Sequence, residues 1–195
     1  MGPRERAQGG APEDDKRGRQ LRMNCVHPAP MIRAATEHDA DLIAHWLSDH
    51  EITRYLTSNL RGGTLSAQLI KLALRRKDQG WFVFTRDDDP QGAPAGLVAV
   101  DSIDAGDGIG NLWFVLGDKS LGGQGLTSRA IDELCTQNPL RLHVASAWVA
   151  EVNVPSLRCL ARAGFAEIGR IEGAVALPGT RAARVLFARK LAREA

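Results

Sequence analysis

From Met31 onward, apolar residues recur with two different periods. Ala40, Ile43, Trp46 and Leu47 fall on one helical face, and Thr36 with Asp39 forms a capping-box-like start just before them. A second helical pattern places Leu65, Leu69, Leu72 and Ala73 inward, with Thr64 as its cap. Met31-Ile32-Arg33-Ala34 reads as a short first strand. Trp81-Phe82-Val83-Phe84 and Gly96-Leu97-Val98-Ala99-Val100 read as a hairpin around Asp88-Asp89-Pro90-Gln91-Gly92. A fourth strand, Leu112 to Leu116, is followed by a helical pattern through Ala130, Ile131 and Leu134. His143 to Val149 reads as a fifth strand, followed by a capped helix from Asn153. Phe165 enters a sixth strand, and Arg184 to Arg189 closes as the last one. The order is β-α-α-β-β-β-α-β-α-β-β, without an internal repeat.

Residues 1–30 depart from this pattern. Gly9-Gly10-Ala11-Pro12-Glu13-Asp14-Asp15-Lys16-Arg17-Gly18-Arg19 is charged and rich in Gly and Pro, so it cannot bury enough apolar surface to offset its ordering entropy. The expectation is a disordered extension over 1–30 and one folded domain over 31–195. No apolar run in the extension is long enough for a signal peptide or a membrane span.

Composition removes several classes. With 25 Lys and Arg against 23 Asp and Glu, the net charge is +2, and no long basic block is interleaved with aromatics. The densest basic cluster, Arg75-Arg76-Lys77, ends a predicted helix and reads as a solvated helix end rather than a nucleic-acid surface. Cys25, Cys135 and Cys159 are odd in number and lack metal-ligand spacing. That pattern fits a reducing, cytoplasmic compartment and argues against a disulfide framework or a zinc site.

The most informative stretch is Leu121-Gly122-Gly123-Gln124-Gly125-Leu126-Thr127-Ser128, between the fourth strand and a helix. A glycine-rich turn into a helix N-terminus offers unpaired N–H groups and the positive dipole end to an anion. Stricter nucleotide patterns fail. Gly123 and Gly125 fit G-x-G-x-x-G, but Ser128 takes the third position. Gly117 and Gly122 have P-loop spacing, but Gly123 replaces the lysine. A nucleotide-binding module is therefore a distant reading, and a helix-entry loop without a ligand is the plain one.

A second motif lies about thirty residues on: Asn153-Val154-Pro155-Ser156-Leu157-Arg158-Cys159-Leu160-Ala161-Arg162-Ala163-Gly164-Phe165. Asn153 is a good N-cap, Pro155 is tolerated in the first turn, and Leu157, Leu160 and Ala161 make one apolar face. Gly164 is placed to stop the helix. Cys159 sits among apolar neighbours and reads as core rather than as a nucleophile.

The two motifs in this order resemble the GNAT superfamily of acyl-CoA-dependent N-acyltransferases, over roughly Met31 to Leu191. Asn-x-x-Ser followed by Gly-Phe, and Gly117-Asp118-Lys119 before the loop, resemble the branch of ribosomal-protein N-terminal acetyltransferases. The resemblance implies an α/β (α+β) fold: a mixed, mostly antiparallel sheet of about seven strands flanked by about four helices. It implies acetyl-CoA as co-substrate, without a metal. The pyrophosphate would lie on the loop Gly122, Gly123, Gln124, Gly125, Leu126 and Thr127. The pantetheine arm would pair with Val115, Leu116 and Gly117, and Asn153 would hydrogen-bond it. A backbone N–H there could polarise the acetyl carbonyl.

The resemblance also implies gaps. Many members carry a tyrosine acid seven residues after the Asn153 position; Leu160 stands there, and Tyr55 is the chain's single tyrosine. Ser156 is the substitute that the Asn-x-x-Ser branch suggests, acting on the leaving sulfur directly or through water. The usual strand-four glutamate is missing, with Asn111 and Leu112 in its region. Asp101, Asp104, His50 and Glu51, or a water chain, are the candidates for a base. The acceptor is a primary amine, on a small molecule (an amino sugar or amino acid) or a protein N-terminus, with its pocket built by residues 47–65. Neither nucleic acid nor membrane is an expected partner, and a monomer or homodimer is. The rival reading is a non-catalytic acyl-CoA-binding or scaffold protein of the same fold.

Overall fold

The structure is a computed structural model. It describes Gly2 and residues 32–56, 65–86 and 92–192. The expectations for residues 1–30 and Met31, for Thr64 as a cap and for the hairpin turn at 88–91 lie outside the described residues, as does Cys25.

One seven-stranded sheet runs in the order β1-β2-β3-β4-β5-β7-β6. Its strands are β1 (Ile32–Ala34), β2 (Gly80–Phe84), β3 (Gly96–Asp104), β4 (Ile109–Leu116), β5 (Val144–Ala150), β6 (Ala166–Leu177) and β7 (Thr180–Lys190). All neighbours are antiparallel except β4 and β5. The two predicted hairpin strands pair antiparallel, with Phe84 opposite Gly96 and Gly80 opposite Val100.

Among the described residues five α-helices flank the sheet: α1 (Ala40–Ser48), α2 (His50–Thr53), α3 (Ala67–Leu74), α4 (Leu126–Gln137) and α5 (Val154–Arg162). Side chains alternate across the central strands. Phe82, Phe84, Val98, Val100 and Leu112 pack under α4 and α5, whereas Trp81, Val83, Leu97, Ala99 and Val115 pack under α1 and α3. Both faces are covered, which is why these strands read as continuous apolar runs.

The helix ends explain the differences from the sequence reading. Asp49 leaves helical geometry with ψ of 114°, and its carboxylate accepts from the N–H groups of Glu51 (2.8 Å) and Ile52 (3.4 Å). A short helix, α2, thus stands at His50 and Glu51, between the two predicted helices. Ser66 supplies the observed cap of α3, accepting from the Leu69 N–H at 3.4 Å. Counting from that cap turns Ile70 inward, fully buried, and leaves Leu69 and Leu72 at 48% and 63% exposure. Of the predicted inner face, Leu65 and Ala73 do pack against the core, whereas Leu69 and Leu72 turn out and Ile70 takes their place. At α5, by contrast, the stop is as predicted. Gly164 takes φ of +77°, its N–H donates to Ala161 O, and the Phe165 N–H donates to Leu160 O. That bond pair is the Schellman pattern, and Leu160 and Phe165 meet in the core beneath it. Leu157 packs against that core too, but Ala161 is exposed.

Candidate active site

The site begins where a parallel strand pair comes apart. β4 and β5 pair only from Ile109 opposite Val144 to Asn111 opposite Ser146. Beyond that point both strands continue, to Leu116 and Ala150, without pairing. Backbone direction alternates along β4. Gly108 O accepts from His143 and Val144 of the β5 side, and the Gly117 N–H donates to Ala95 O on the β3 side at 2.8 Å. Even-numbered positions therefore face β5. Phe114 and Leu116 turn their peptide groups to the gap, while Val115 and Gly117 turn theirs to β3.

The gap opens into a cleft of about 600 Å³. Val115 and Leu116 border it, as do Gly122, Gly123, Gly125, Leu126, Thr127, Asn153 and Ser156. Gly117 and Gln124 do not. Gly117 is glycine for another reason: a Cβ there would run into the Trp46 indole. The Gln124 carbonyl accepts from Arg129 at 3.1 Å. Of three residues matched to the pantetheine stretch, only Leu116 thus has its peptide facing the opening.

At one end of the cleft lies the glycine turn. Asp118 caps a short 3-10 turn, Lys119–Leu121, by accepting from the Ser120 N–H at 3.0 Å. Gly123 and Gly125 have φ of +79° and +76°, a left-handed geometry that side chains disfavour. Gly125 is the N-cap of α4 and has no side chain to cap it. The first-turn N–H groups are thus left to a ligand at the positive end of a twelve-residue helix. From Lys119 to Arg129 the chain carries both of those cations and no carboxylate. This cradle fits a diphosphate.

At the far wall, α5 begins. Asn153 Oδ1 accepts from the Ser156 N–H at 3.4 Å, so Asn153 is the predicted N-cap and leaves its amide NH₂ to other partners. The Ser156 hydroxyl has no protein partner among the described residues. Leu160, in the tyrosine position, is fully buried. Cys159 touches the cleft, but burial pushes its thiol up to about 12, and Cys135 in α4 to about 11. Both are free thiols in poor surroundings for a nucleophile.

Of the four candidate bases, only Glu51 borders the cleft. Asp101 accepts from Asn111 Nδ2 at 3.1 Å, and Asp104 caps its own turn through Gly106 and Asp107. His50 stays exposed at the start of α2. Glu51 is not free: Lys119 Nζ lies 2.7 Å from it and 2.9 Å from Asp49. This ion pair ties α2 to the turn that leads into the glycine loop.

Several cleft residues went unread in the sequence. Tyr55, Trp113 and Trp148 border it, as do Arg158 and Arg162 of α5. The arginines are four apart on one helix, a signal available to spacing alone. The aromatics come from the turn after α2, from β4 and from β5, and no local pattern joins them. Among the described residues there is no cluster of three or more His, Cys, Asp or Glu that could hold a metal, and no helix is long and apolar enough to cross a membrane.

Known proteins extend this picture. The spermidine N-acetyltransferase of Vibrio cholerae, solved with CoA and spermine, superposes with a TM-score of 0.72 at 17% identity, over 85% of this chain and 97% of that one. A ribosomal-protein-S5-alanine acetyltransferase from Vibrio fischeri gives 0.65 at 18%, over 84% and 93%. RimL, a ribosomal L7/L12 alpha-N-protein acetyltransferase solved with coenzyme A, gives 0.68 at 16%, over 84% and 94%. Among curated proteins, none matches the chain in sequence. At such identities the superpositions carry the fold. The family model of the acetyltransferase (GNAT) domain matches residues 31–166. With that match, and with a sheet that splays above an uncapped glycine turn, the chain belongs to the GNAT acetyltransferase family.

Proposed function

We propose that the protein is an N-acetyltransferase that moves the acetyl group of acetyl-CoA to a primary amine by direct attack. The observation that carries this reading is the shared opening of two features: strands β4 and β5 stop pairing at Asn111 and Ser146, and the uncapped N-terminus of α4 faces the same cleft. A diphosphate on the Gly122–Thr127 turn would set an extended arm along the unpaired edge of β4. The Phe114 and Leu116 peptides would bind that arm, with one N–H polarising the thioester carbonyl as charge develops on its oxygen. The Asn153 amide would hold the arm from the other wall.

The reaction needs no enzyme nucleophile. The amine nitrogen forms a bond to the acyl carbon, the carbon–sulfur bond breaks, the nitrogen loses a proton, and the thiolate gains one. Ser156 would hydrogen-bond the departing sulfur at the positive end of α5, where negative charge is favoured. Among the described residues Glu51 is the one carboxylate on the cleft, and its pairing with Lys119 leaves proton removal by way of water as the simplest route. The acceptor is a small amine or a protein N-terminus. The free Cys135 and Cys159 suit a cytoplasmic setting.

A buried Leu160 in the tyrosine position and Asn111 in place of a strand-four glutamate favour a second reading, acyl-CoA binding without turnover. An amine panel scored for thiol release from acetyl-CoA decides between them. Amine-dependent release supports transfer. A thermal shift with acetyl-CoA but no release with any amine supports binding alone.

A further inference from the structure

Past Asn111 and Ser146 the cleft is bordered by Tyr55, Trp113 and Trp148 as well as by the glycine turn. Guanidinium groups stack on two of these rings: Arg54 itself borders the cleft, whereas Arg184 lies outside its lining, against Trp148. The Arg54 guanidinium carbon lies 4.6 Å from the Tyr55 ring centre, and that of Arg184 lies 4.1 Å from the Trp148 ring centre. The two sites adjoin, because Tyr55 and Trp148 pack into one apolar cluster with Ala150 and Ala182. Strand register puts Arg184 opposite Ala150, two residues from Trp148, so all three project from the same sheet face.

Neither guanidinium has a carboxylate partner among the described residues. The Nε of Arg184 is buried and lacks any hydrogen-bond partner there. A buried unsatisfied donor costs free energy, and a charged one more. Elsewhere on the molecule, surface arginines do find carboxylates: Arg75 with Glu37, Arg170 with Glu151 and Arg189 with Asp132. Stacking on an aromatic face leaves the N–H edge of a guanidinium open for two parallel bonds to a carboxylate.

The charge balance of the cleft agrees. One carboxylate, Glu51, borders it against Arg54, Lys119, Arg158 and Arg162, and Lys119 already neutralises Glu51. CoA phosphates would offset part of this positive charge, but a polycationic acceptor would still find no unpaired carboxylate lining the cleft among the described residues.

We propose that the acceptor amine carries a carboxylate, and that Arg54 on the cleft and Arg184 beside it grip that carboxylate where Tyr55 and Trp148 meet. The inference rests on the transfer reading for the word acceptor, but its binding test does not. Fixed positive charge beside the bound amine also disfavours the ammonium form, which eases proton loss in a cleft without a free carboxylate base.

The test uses the full chain loaded with CoA, which cannot react, and measures binding by calorimetry. The probes are alanine against alaninamide, alanyl-glutamate amide against alanyl-glutamine amide, and spermidine. The carboxylate member of at least one pair should bind about tenfold or more tightly than its neutral partner, and more tightly than spermidine. The first pair reports an α-carboxylate, as in a free amino acid, and the second a side-chain carboxylate, as in a peptide. Arg54→Gln, at an exposed position, and Arg184→Met, which keeps apolar contact with Trp148, should each erase that preference. Equal binding within both pairs, tighter binding of spermidine, or a preference that survives both substitutions overturns the proposal. Thiol release with the same probes and acetyl-CoA is scored separately. A carboxylate preference in binding without release upholds this inference and removes the transfer reading.

Discussion

The indole of Trp46 fills the space that a side chain on Gly117 would need. The same glycine donates its N–H to Ala95 O, locking the end of β4 to β3 just where β4 leaves β5. Gly117→Ala should cost about 1–3 kcal/mol of stability through overpacking. Urea unfolding measures it. A neutral substitution would mean that Trp46 moves aside without penalty.

Acetyl-CoA should raise the melting temperature, since a ligand that binds only the folded state stabilises it by mass action. Gly125→Val should remove most of that shift. A Cβ at Gly125 meets only Arg129 and Ser128 at ordinary contact distances, so the variant still folds; the losses are the left-handed φ and close approach to the loop. An undiminished shift in the variant would separate the loop from the ligand.

Ser156→Ala should lower kcat and kcat/KM together, by up to about a hundredfold, while the Kd for acetyl-CoA stays near the wild-type value. Its backbone N–H would still reach Asn153, so the cap survives. Full kcat in the variant would reduce Ser156 to a helix-start residue.

Cys159 borders the cleft, yet its thiol is pushed up to about 12 by burial, so almost no thiolate exists near neutral pH. Cys159→Ala should therefore leave the transfer rate close to wild type. A collapse in rate, or an acetylated Cys159 trapped by mass spectrometry, would replace direct attack with a covalent route.

Asp39 accepts two bonds from Arg33, at 2.7 and 2.8 Å, and a third from the Thr36 N–H. Led by the Arg33 bonds, these hold its carboxyl down to about 2 from an ordinary 3.8. A depressed folded pKa stabilises above the unfolded value and loses that contribution as pH falls through the folded one. Asp39 should thus contribute about 2 kcal/mol at neutral pH, fading between about pH 4 and 2. Chemical denaturation of wild type and Asp39→Asn across that range should show the gap closing.

Much of this molecule is written locally. The apolar runs at Trp81–Phe84 and Gly96–Val100, the Asn153 cap and the Gly164 stop each depend on neighbours a few residues away, and each appears in the structure where the chain places it. The glycine turn is legible for the same reason, because a left-handed φ at Gly123 and Gly125 is a property of the residue itself. The phase of α3 was not legible: Leu69 and Leu72 are as apolar as Ile70, and Ser66 and the packing against α1 decide which of them is buried. Nor could the chain alone show that β4 and β5 part after three residue pairs, since pairing partners are 35 positions apart in sequence. The aromatic lining of the cleft depends most on tertiary structure. Arg54 with Tyr55, Trp148 and Arg184 come from three separated stretches, and only the folded sheet brings the two cation-stacked rings together.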